Sequence, residues 1–242
     1  AVYSFTDSPN IGAIHSFSFH NYVTLFTTPE LIDMIIGSIA LAIGSAVLAT
    51  ILGTTGAIGA FYSKKNVNGT MSVLNQIPVV NADVVTGFSL CILLVVVFGV
   101  SKNTYIPLVI GHTVLSAPFV YLAVVPKLKQ MDPSLYEAAL DLGATPGYTL
   151  IHIIIPQIAS GIISGFVMAV TLSLDDYFVA TYTKPATFDT ISTYVVNATK
   201  GSQTNIRTAL WALSTIIFLI VVIVEVVMNF APIKNEAQKE KH

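Results

Sequence analysis

The sequence predicts an all-α protein that crosses a membrane several times. Of its 242 residues, 54% are hydrophobic and only 10% are charged, with a mean hydropathy of +0.76. A soluble domain carries about 25% charged residues to cover its surface. Several uncharged stretches are also long enough for a transmembrane helix, which takes about 20 residues. The lipid bilayer is therefore the first predicted partner of this chain.

The composition argues against nucleic-acid binding and against cysteine chemistry. The 11 Lys and Arg residues are scattered, with never more than two together, so no basic patch for nucleic acid is expected. A single cysteine, Cys91, excludes an internal disulfide and a cysteine metal cluster. We expect no nucleic-acid partner and no metal site.

Five complete spans are predicted, in one transmembrane domain that comprises residues 1–242. The first begins with Thr28 as a helix cap, Pro29 in the first turn and Glu30 beside the positive helix end. It is too long for one straight crossing, so its end is expected to extend beyond the lipid. The predicted spans are Met34–Ser63, Val84–Ser101, Asn103–Pro126, Leu142–Leu174 and Thr208–Val224.

The distribution of positive charge predicts a cytoplasmic C-terminus. In that orientation the inner loops hold seven basic residues and the outer loops four, as the positive-inside rule requires. The inner seven are Lys64, Lys65, Lys127, Lys129, Lys234, Lys239 and Lys241. Five spans leave Ala1 outside, and we expect a preceding helix to be absent or truncated.

Small residues recur at a spacing of four in the first span, and Gly161 and Gly165 repeat the pattern later. Such stripes allow helix backbones to approach closely in lipid. They are compatible with packing inside this subunit or with an interface to a second membrane subunit. The first stripe consists of Ser45, Ala49, Gly53 and Ala57.

A cytoplasmic loop over residues 132–156 has clear helix signals. Asp132 is a predicted cap, Pro133 a first-turn residue and Gly143 a left-handed end, which gives a helix of about 15 Å. Thr145 and Pro146 are predicted to begin a second helix. The first helix has a predicted apolar face of Leu135, Ala138, Ala139 and Leu142.

The acidic face of this helix suggests a protein partner. Glu137 and Asp141 lie four residues apart, and no basic residue of the helix is placed to pair with them. A partner protein is expected to supply Arg or Lys to Glu137. The alternative, from these residues alone, is a connector that lies on the lipid surface.

The same loop carries a motif. Glu137, Ala138 and Ala139 are followed after three residues by Gly143, and after nine more by Ile153, Ile155 and Pro156. This pattern resembles the EAA loop of type I ABC importer permeases and departs from it only at Ile155, where the family usually has Leu. The resemblance covers essentially the whole chain and implies that family's polytopic helical-bundle fold.

The resemblance also implies a role for the loop. It would form the coupling helix, seated in a cleft of a separate nucleotide-binding subunit and followed by Pro156 at the entry to the next span. The residues expected to couple the chain to that ATPase are Glu137, Ala138, Ala139, Asp141, Gly143 and Pro156.

Further expectations concern cofactors and partners. The chain contains no glycine loop of the Walker type, so ATP and Mg would be bound by the partner ATPase, and this chain would hold no cofactor and be no enzyme. The resemblance implies two ATPase subunits, a second homologous permease subunit, commonly in a heterodimer, and an extracytoplasmic solute-binding protein. The expected location is the bacterial cytoplasmic membrane.

The fourth predicted span carries a polar stripe. Ser164, Met168, Thr171 and Asp175 follow one another at helical spacing, while Asp176 points about 100° away. Along a straight helix, Asp175 lies about 29 Å from Pro156, which places it near the outer surface.

This acidic pair, with Tyr177 beside it, would attract an organic cation. Alternatively, both acids simply meet water at a helix end. Residues 171–176, TLSLDD, resemble the corresponding segment of spermidine/putrescine permeases, and the predicted cargo is therefore a polyamine. Importers of ferric iron, sulfate, molybdate or phosphonates share the EAA loop, so another solute remains the alternative.

Weaker candidates for the substrate pathway are Asp83, near a predicted break in the second span, and Glu225, late in the last one. His112 and His152 are expected to be packing or interfacial residues, because no second ligand shares their helical face.

Two rival functions predict different features. A self-contained secondary cation carrier would need an inverted repeat and charges near the midplane, and the sequence has neither. An intramembrane aspartyl protease would need two carboxylates that face one another, whereas Asp175 and Asp176 diverge on one helix.

Overall fold

The computed structural model is helical, with no strand among the residues that it describes. These are residues 2–5, 17–132, 134–200, 211–216, 218–219, 222–223 and 226. The all-α prediction is confirmed. The chain divides into two compact units, Ala1–Gly37 with Asp189–His242, and Ser38–Phe188. That the whole chain forms one permease domain stays a prediction.

The first two α-helices are rich in apolar residues. A short 3-10 turn, Val2–Phe5, is followed by α1 (His20–Thr27) and α2 (Pro29–Phe61). The predicted start of α2 is confirmed, because the Thr28 carbonyl accepts hydrogen bonds from the amides of Leu31 and Ile32. Its 33 residues span about 50 Å, more than the hydrocarbon thickness of about 30 Å.

The predicted second span is preceded by a helix that no pattern in the sequence predicted. Helix α3 (Lys65–Val80) is followed by α4 (Asp83–Cys91), which continues as a π-helix over Ile92–Val97. The chain bends by 103° between Asn68–Val80 and Asp83–Val97. Pro78 lies in the last turn of α3, and the extended backbone at Asn81 and Ala82 separates the two helices.

The predicted fourth span is also bent. Helix α5 (Ile106–Gln130) leads to α6 (Ser134–Asp141) and α7 (Pro146–Thr149), a π-helical turn over Leu150–Ile154, and α8 (Ile155–Gln157). The axis then turns by 72° at Ile158 before α9 (Ala159–Asp175). The uncharged stretch Leu142–Leu174 is therefore divided, with a new helix at Pro146 as predicted and a bend at Ile158, two residues beyond the predicted span entry at Pro156.

The bend changes the expected position of Asp175. The distance of about 29 Å from Pro156 assumed one straight axis, whereas α9 has 17 residues and a length of about 25 Å. Two short helices follow it, α10 (Phe178–Thr183) and α11 (Ile191–Lys200).

The number of spans follows from these breaks. Helices α2 and α5 are each long and apolar enough to cross a membrane, and the two bent pairs raise the number of candidates to four. The fifth predicted span, Thr208–Val224, lies largely outside the described residues. Five spans therefore remain a prediction.

Helix α5 is the packing centre of the unit Ser38–Phe188. A Cβ added at Gly53 would lie 2.7–2.9 Å from atoms of Val120 and Ala117. A Cβ added at Gly161 would lie 2.8–2.9 Å from atoms of Lys127 and Ala123, so the backbones of α2 and α9 touch α5 directly. Gly165 is nearly as close to Val120. Both small-residue stripes thus pack inside the subunit, which decides between the two alternatives for them.

The other unit has its own small core. Leu25 and Leu31 pack with Met34, Ile191 and Leu213. Outside the two cores, many large apolar side chains of α2 are exposed, including Ile36, Ile43 and Ile51. Lipid rather than water is the expected solvent of such a surface.

Candidate functional site

Two features form the candidate site: the protruding helix α6 and a cavity beside α5. At the start of α6, Asp132 Oδ1 accepts hydrogen bonds from the Ser134 amide at 2.9 Å and its hydroxyl at 2.7 Å. Both bonds lower the pKa of the Asp132 carboxyl, so this cap is ionised at neutral pH. Pro133 lies outside the described residues.

Helix α6 ends as predicted. Gly143 has a φ of +87°, a left-handed conformation that glycine adopts without steric cost. The Gly143 amide donates to the Leu140 carbonyl, and the Ala144 amide donates to the Ala139 carbonyl. These two bonds form a Schellman motif, which fixes the length of the helix.

The apolar residues of α6 are divided between the protein core and the surface. Ala139 is buried, and Tyr136 packs against Tyr62, with 4.9 Å between the ring centroids. Ala138 is exposed and Leu142 is 90% exposed, so the predicted apolar face is divided, with Ala139 turned toward the core and Ala138 and Leu142 turned outward. The reason is tertiary: Tyr136, beside the predicted stripe, is the side chain that reaches the core.

The outward face of α6 is therefore mixed. Glu137, Ala138, Asp141 and Leu142 are all exposed. Acids, a small residue and a protruding leucine side by side are suited to a groove that offers both a basic group and an apolar pocket. Pro156, the last residue of the loop over residues 132–156, lies in α8 and is also exposed.

The second feature is a cavity of about 410 Å³ between the two chain breaks. Asp83 comes from the α3–α4 break, and Asp175, Asp176 and Tyr177 come from the α9–α10 break. Three carboxylates and three aromatic rings thus line one space, and neither Lys nor Arg is among its described lining residues. The remaining lining residues, from these breaks and from α5, are Pro78, Val79, Leu115, Phe119, Leu172 and Phe178.

The two neighbouring acids have different surroundings. Asp175 is exposed, at the last residue of α9, where the negative end of the helix dipole adds to its charge. Asp176 is 8% exposed, and its oxygens accept the Val179 and Ala180 amides at 3.2 and 2.7 Å. The two acids thus differ in exposure although both line the cavity, and the three carboxylates give the cavity a negative potential that suits a cation.

Not every predicted pathway residue reaches the cavity. Three of them lie earlier along α9 than the lining residue Leu172 and do not line the cavity: Ser164, Met168 and Thr171. Of these, Ser164 and Met168 are exposed. Glu225 lies outside the described residues. No group of His, Cys, Asp and Glu side chains that could hold a metal ion occurs in the described part of the chain.

Sequence reasoning missed a buried polar chain behind the cavity. His112 is completely buried; its Nδ1 lies 2.7 Å from Ser173 Oγ, and its Nε2 lies 3.6 Å from Asp176 Oδ2. Ser173 Oγ lies 3.2 Å from Ser45 Oγ. The partners of His112 are on other elements, so the spacing of residues along its own helix gives no sign of them. His152, by contrast, is exposed and stacks on Tyr148.

Residues 54–231, which include both features, match the family model described as "Binding-protein-dependent transport system inner membrane component". This chain belongs to that family. The matched region covers the helix α6 loop and all of the residues that line the cavity.

Named relatives of this transport family are similar over most of their length. The spermidine/putrescine transport system permease protein PotC of Haemophilus influenzae is 30% identical over 223 residues, which are 90% of this chain and 83% of the relative. The putrescine transport system permease protein PotI of Escherichia coli K12 is 31% identical over 187 residues, which are 75% of this chain and 66% of the relative.

Solved structures agree on the fold. A bacterial ABC transporter involved in the import of alginate has a TM-score of 0.69 at 18% identity, with 95% of this chain and 87% of that chain covered. An amino acid ABC transporter has a TM-score of 0.61 at 16% identity, with 89% and 98% covered. At these identities the likeness shows the fold of this transport family and no more.

Family membership confirms the predicted class, a type I ABC importer permease that is a transport subunit and not an enzyme. It places this inner membrane component in the bacterial plasma membrane as a multi-pass protein. A binding-protein-dependent permease works with a solute-binding protein and an ATPase, so the two rival functions no longer apply.

Proposed function

We propose that this permease imports polyamines such as spermidine or putrescine by alternating access, and that the cavity between the two chain breaks lies on their path. The carboxylates of Asp83, Asp175 and Asp176 on that cavity carry the proposal. A polyamine is a flexible chain with two or more ammonium groups. Separate carboxylates can each take one such group, and the names of the relatives at about 30% identity agree with this cargo.

The aromatic walls support the same cargo. Phe119, Tyr177 and Phe178 line the cavity together with the acids. Ring faces attract ammonium groups and also cover the methylene segments between them. A sulfate, molybdate or phosphonate importer would need different groups, because its anionic cargo would meet three carboxylates and no basic side chain among the described lining residues. Ferric iron would need a shared set of ligands, and the described residues offer none.

The ATPase is proposed to bind α6. Its outward face would fill a groove of the nucleotide-binding subunit, with Glu137 and Asp141 opposite basic groups and Leu142 in an apolar pocket. The buried side of α6, Tyr136 and Ala139, would transmit ATPase closure to the membrane helices through Tyr62 at the end of α2. ATP and Mg would be bound by that partner.

The complete importer is proposed to contain a second, similar permease subunit and two ATPase copies. The solute-binding protein would deliver the polyamine from outside, and the C-terminus would be cytoplasmic. Ser164 and Met168, exposed on α9 below the cavity, would continue the path toward the cytoplasm together with the partly buried Thr171.

The test is Asp175→Asn in the assembled importer, with radiolabelled spermidine uptake into proteoliposomes as the measurement. Loss of one charge-assisted contact of about 1.4 kcal/mol or more raises the half-saturating spermidine concentration at least about ten-fold. The ATPase and the second permease should co-purify as with wild type, because Asp175 is remote in sequence from α6.

The matched control is Asp33→Asn, the same chemical change at an exposed acid of α2 that does not line the cavity. Its uptake should equal that of wild type. Unchanged uptake by the Asp175 variant, or an equal loss in both variants, would exclude the proposed path.

A further inference from the structure

The polar chain behind the cavity runs through three helices. Ser45 belongs to α2, His112 to α5 and Ser173 to α9, and Asp176 follows α9 at the break. All four residues are buried, and the side chain of His112 has no exposed surface. A buried polar group is costly unless its hydrogen bonds are made, and His112 Nε2 has no hydrogen-bond partner within the described part of the protein.

The hydrogen bonds of this polar network set the protonation of the imidazole. The Ser45 hydroxyl lies within hydrogen-bond distance of both the Ala42 carbonyl oxygen and Ser173 Oγ. If Ser173 donates to His112 Nδ1, the imidazole carries its proton on Nε2. That N–H faces Asp176 Oδ2 at 3.6 Å, close enough for electrostatic attraction. The opposite direction would leave an Nε2 lone pair facing a carboxylate oxygen, which is repulsive.

Backbone groups also hold Asp176 in place. Its two oxygens accept the Val179 and Ala180 amides. Helix α10 is itself pressed against α4 and α5, since a Cβ at Gly87 or Gly111 would come within 2.8 Å of Val179. The carboxylate is thus fixed by the amides of a packed helix, with the His112 imidazole behind it.

We propose that His112 is a positioning residue for substrate binding: its Nε2–H, oriented by the contact of Nδ1 with Ser173, holds the Asp176 carboxylate at the cavity wall. His112 itself does not line the cavity, so it would act through Asp176 and not by touching the cation. The inference rests on the proposed function and assigns the geometry of that site to a residue that the sequence pattern did not select.

Two substitutions separate the two ends of the imidazole. His112→Gln keeps an amide N–H near the position of Nε2, which faces Asp176. His112→Asn keeps a polar atom near the position of Nδ1, which faces Ser173, and removes the group next to Asp176. Spermidine uptake by the assembled importer in proteoliposomes is measured for both, with the maximal rate and the half-saturating concentration determined separately.

The expected result is a rise of about ten-fold in the half-saturating concentration for His112→Asn, a change of less than about two-fold for His112→Gln, and a similar maximal rate for both. In an Asp176→Asn background, His112→Asn should add less than about two-fold, because the two residues act as a unit. Ser173→Ala, a smaller change that leaves the helix packing intact, should raise the concentration about three-fold.

Three results overturn the proposal. One is equal impairment of the Gln and Asn variants, and another is a full His112→Asn effect in the Asp176→Asn background. The third is an unchanged Ser173→Ala, which decides the matter if His112→Asn does not assemble. If Asp175→Asn and Asp176→Asn alone leave uptake unchanged, the proposed path falls together with this inference. If they impair uptake while His112→Asn does not, only the positioning role falls.

Discussion

At the scale of single residues, glycine decides how closely the helices of this permease pack. Gly53 and Gly44 both lie in the interior of α2, yet their surroundings differ. A Cβ at Gly53 would meet Val120 Cβ at 2.7 Å and the Ala117 carbonyl oxygen at 2.8 Å, whereas a Cβ at Gly44 would meet nothing within 4 Å. One glycine is therefore required by packing and the other is not.

We predict opposite effects of one methyl group at these two positions. Gly53→Ala should lower the free energy of unfolding by about 1–3 kcal/mol, because α2 must move away from α5. Gly44→Ala should leave it equal or raise it by up to about 1 kcal/mol, since alanine favours the helix. Thermal unfolding of the two variants in the same detergent measures both, and equal melting temperatures would contradict this packing.

At the scale of elements, α6 is a short helix that is fixed at both ends and held on one side. Asp132 caps its start, the Schellman motif at Gly143 closes its end, and Tyr136 and Ala139 attach it to the protein. Its exposed leucine has no role in this attachment. A leucine that is 90% exposed at the tip of a rigid protrusion is the side chain that a partner groove is expected to bury.

We predict that Leu142→Ser weakens binding of the ATPase subunit about ten-fold or more, because burial of a leucine side chain contributes about 1.5–3 kcal/mol. Leu142→Met keeps the apolar volume and should bind as wild type does. Titration of the purified permease complex with the ATPase subunit gives both affinities. A Ser variant that binds as tightly as the Met variant would show that this leucine lies outside the interface.

At the scale of the whole molecule, the bent pair α3–α4 determines the topology. A bend of 103° is compatible with a broken span or with a loop that returns to the same side. Lys64 precedes the pair and Lys102 follows it, and both are exposed. The charge distribution predicts that Lys64 is cytoplasmic and Lys102 external, which requires the pair to cross the membrane.

We predict that cysteines at these two positions react from opposite sides. In a Cys91→Ser background, Lys102→Cys in intact cells should react with a membrane-impermeant maleimide, and Lys64→Cys should react only after the cells are opened. Both variants can be compared by the mass added to the purified chain. Reaction of both from the same side would make the pair a re-entrant loop and would remove one crossing from the proposed topology.

Much of the site could be predicted from sequence because it depends on local signals. The ends of the short loop helices are set by contacts within a few residues in sequence, at Asp132, Gly143, Thr145 and Pro146. The spacing of these residues therefore predicted the loop correctly. Asp175 and Asp176 were predicted near a helix end, and α9 ends at Asp175. The breaks in the spans were only partly predicted, because bilayer-length apolar runs do not show where a helix axis turns.

The sequence by itself determined the class of this protein: its apolar composition requires lipid, and the EAA spacing identifies an importer permease. Only the tertiary structure decided which groups meet. Asp83 joins Asp175 and Asp176 because α4, which follows one helix break, packs directly against α10, which follows the other, and His112 lies behind Asp176 because α5 packs on α9. Such meetings depend on close packing between segments distant in sequence, and that packing is set by the whole bundle and by no local pattern.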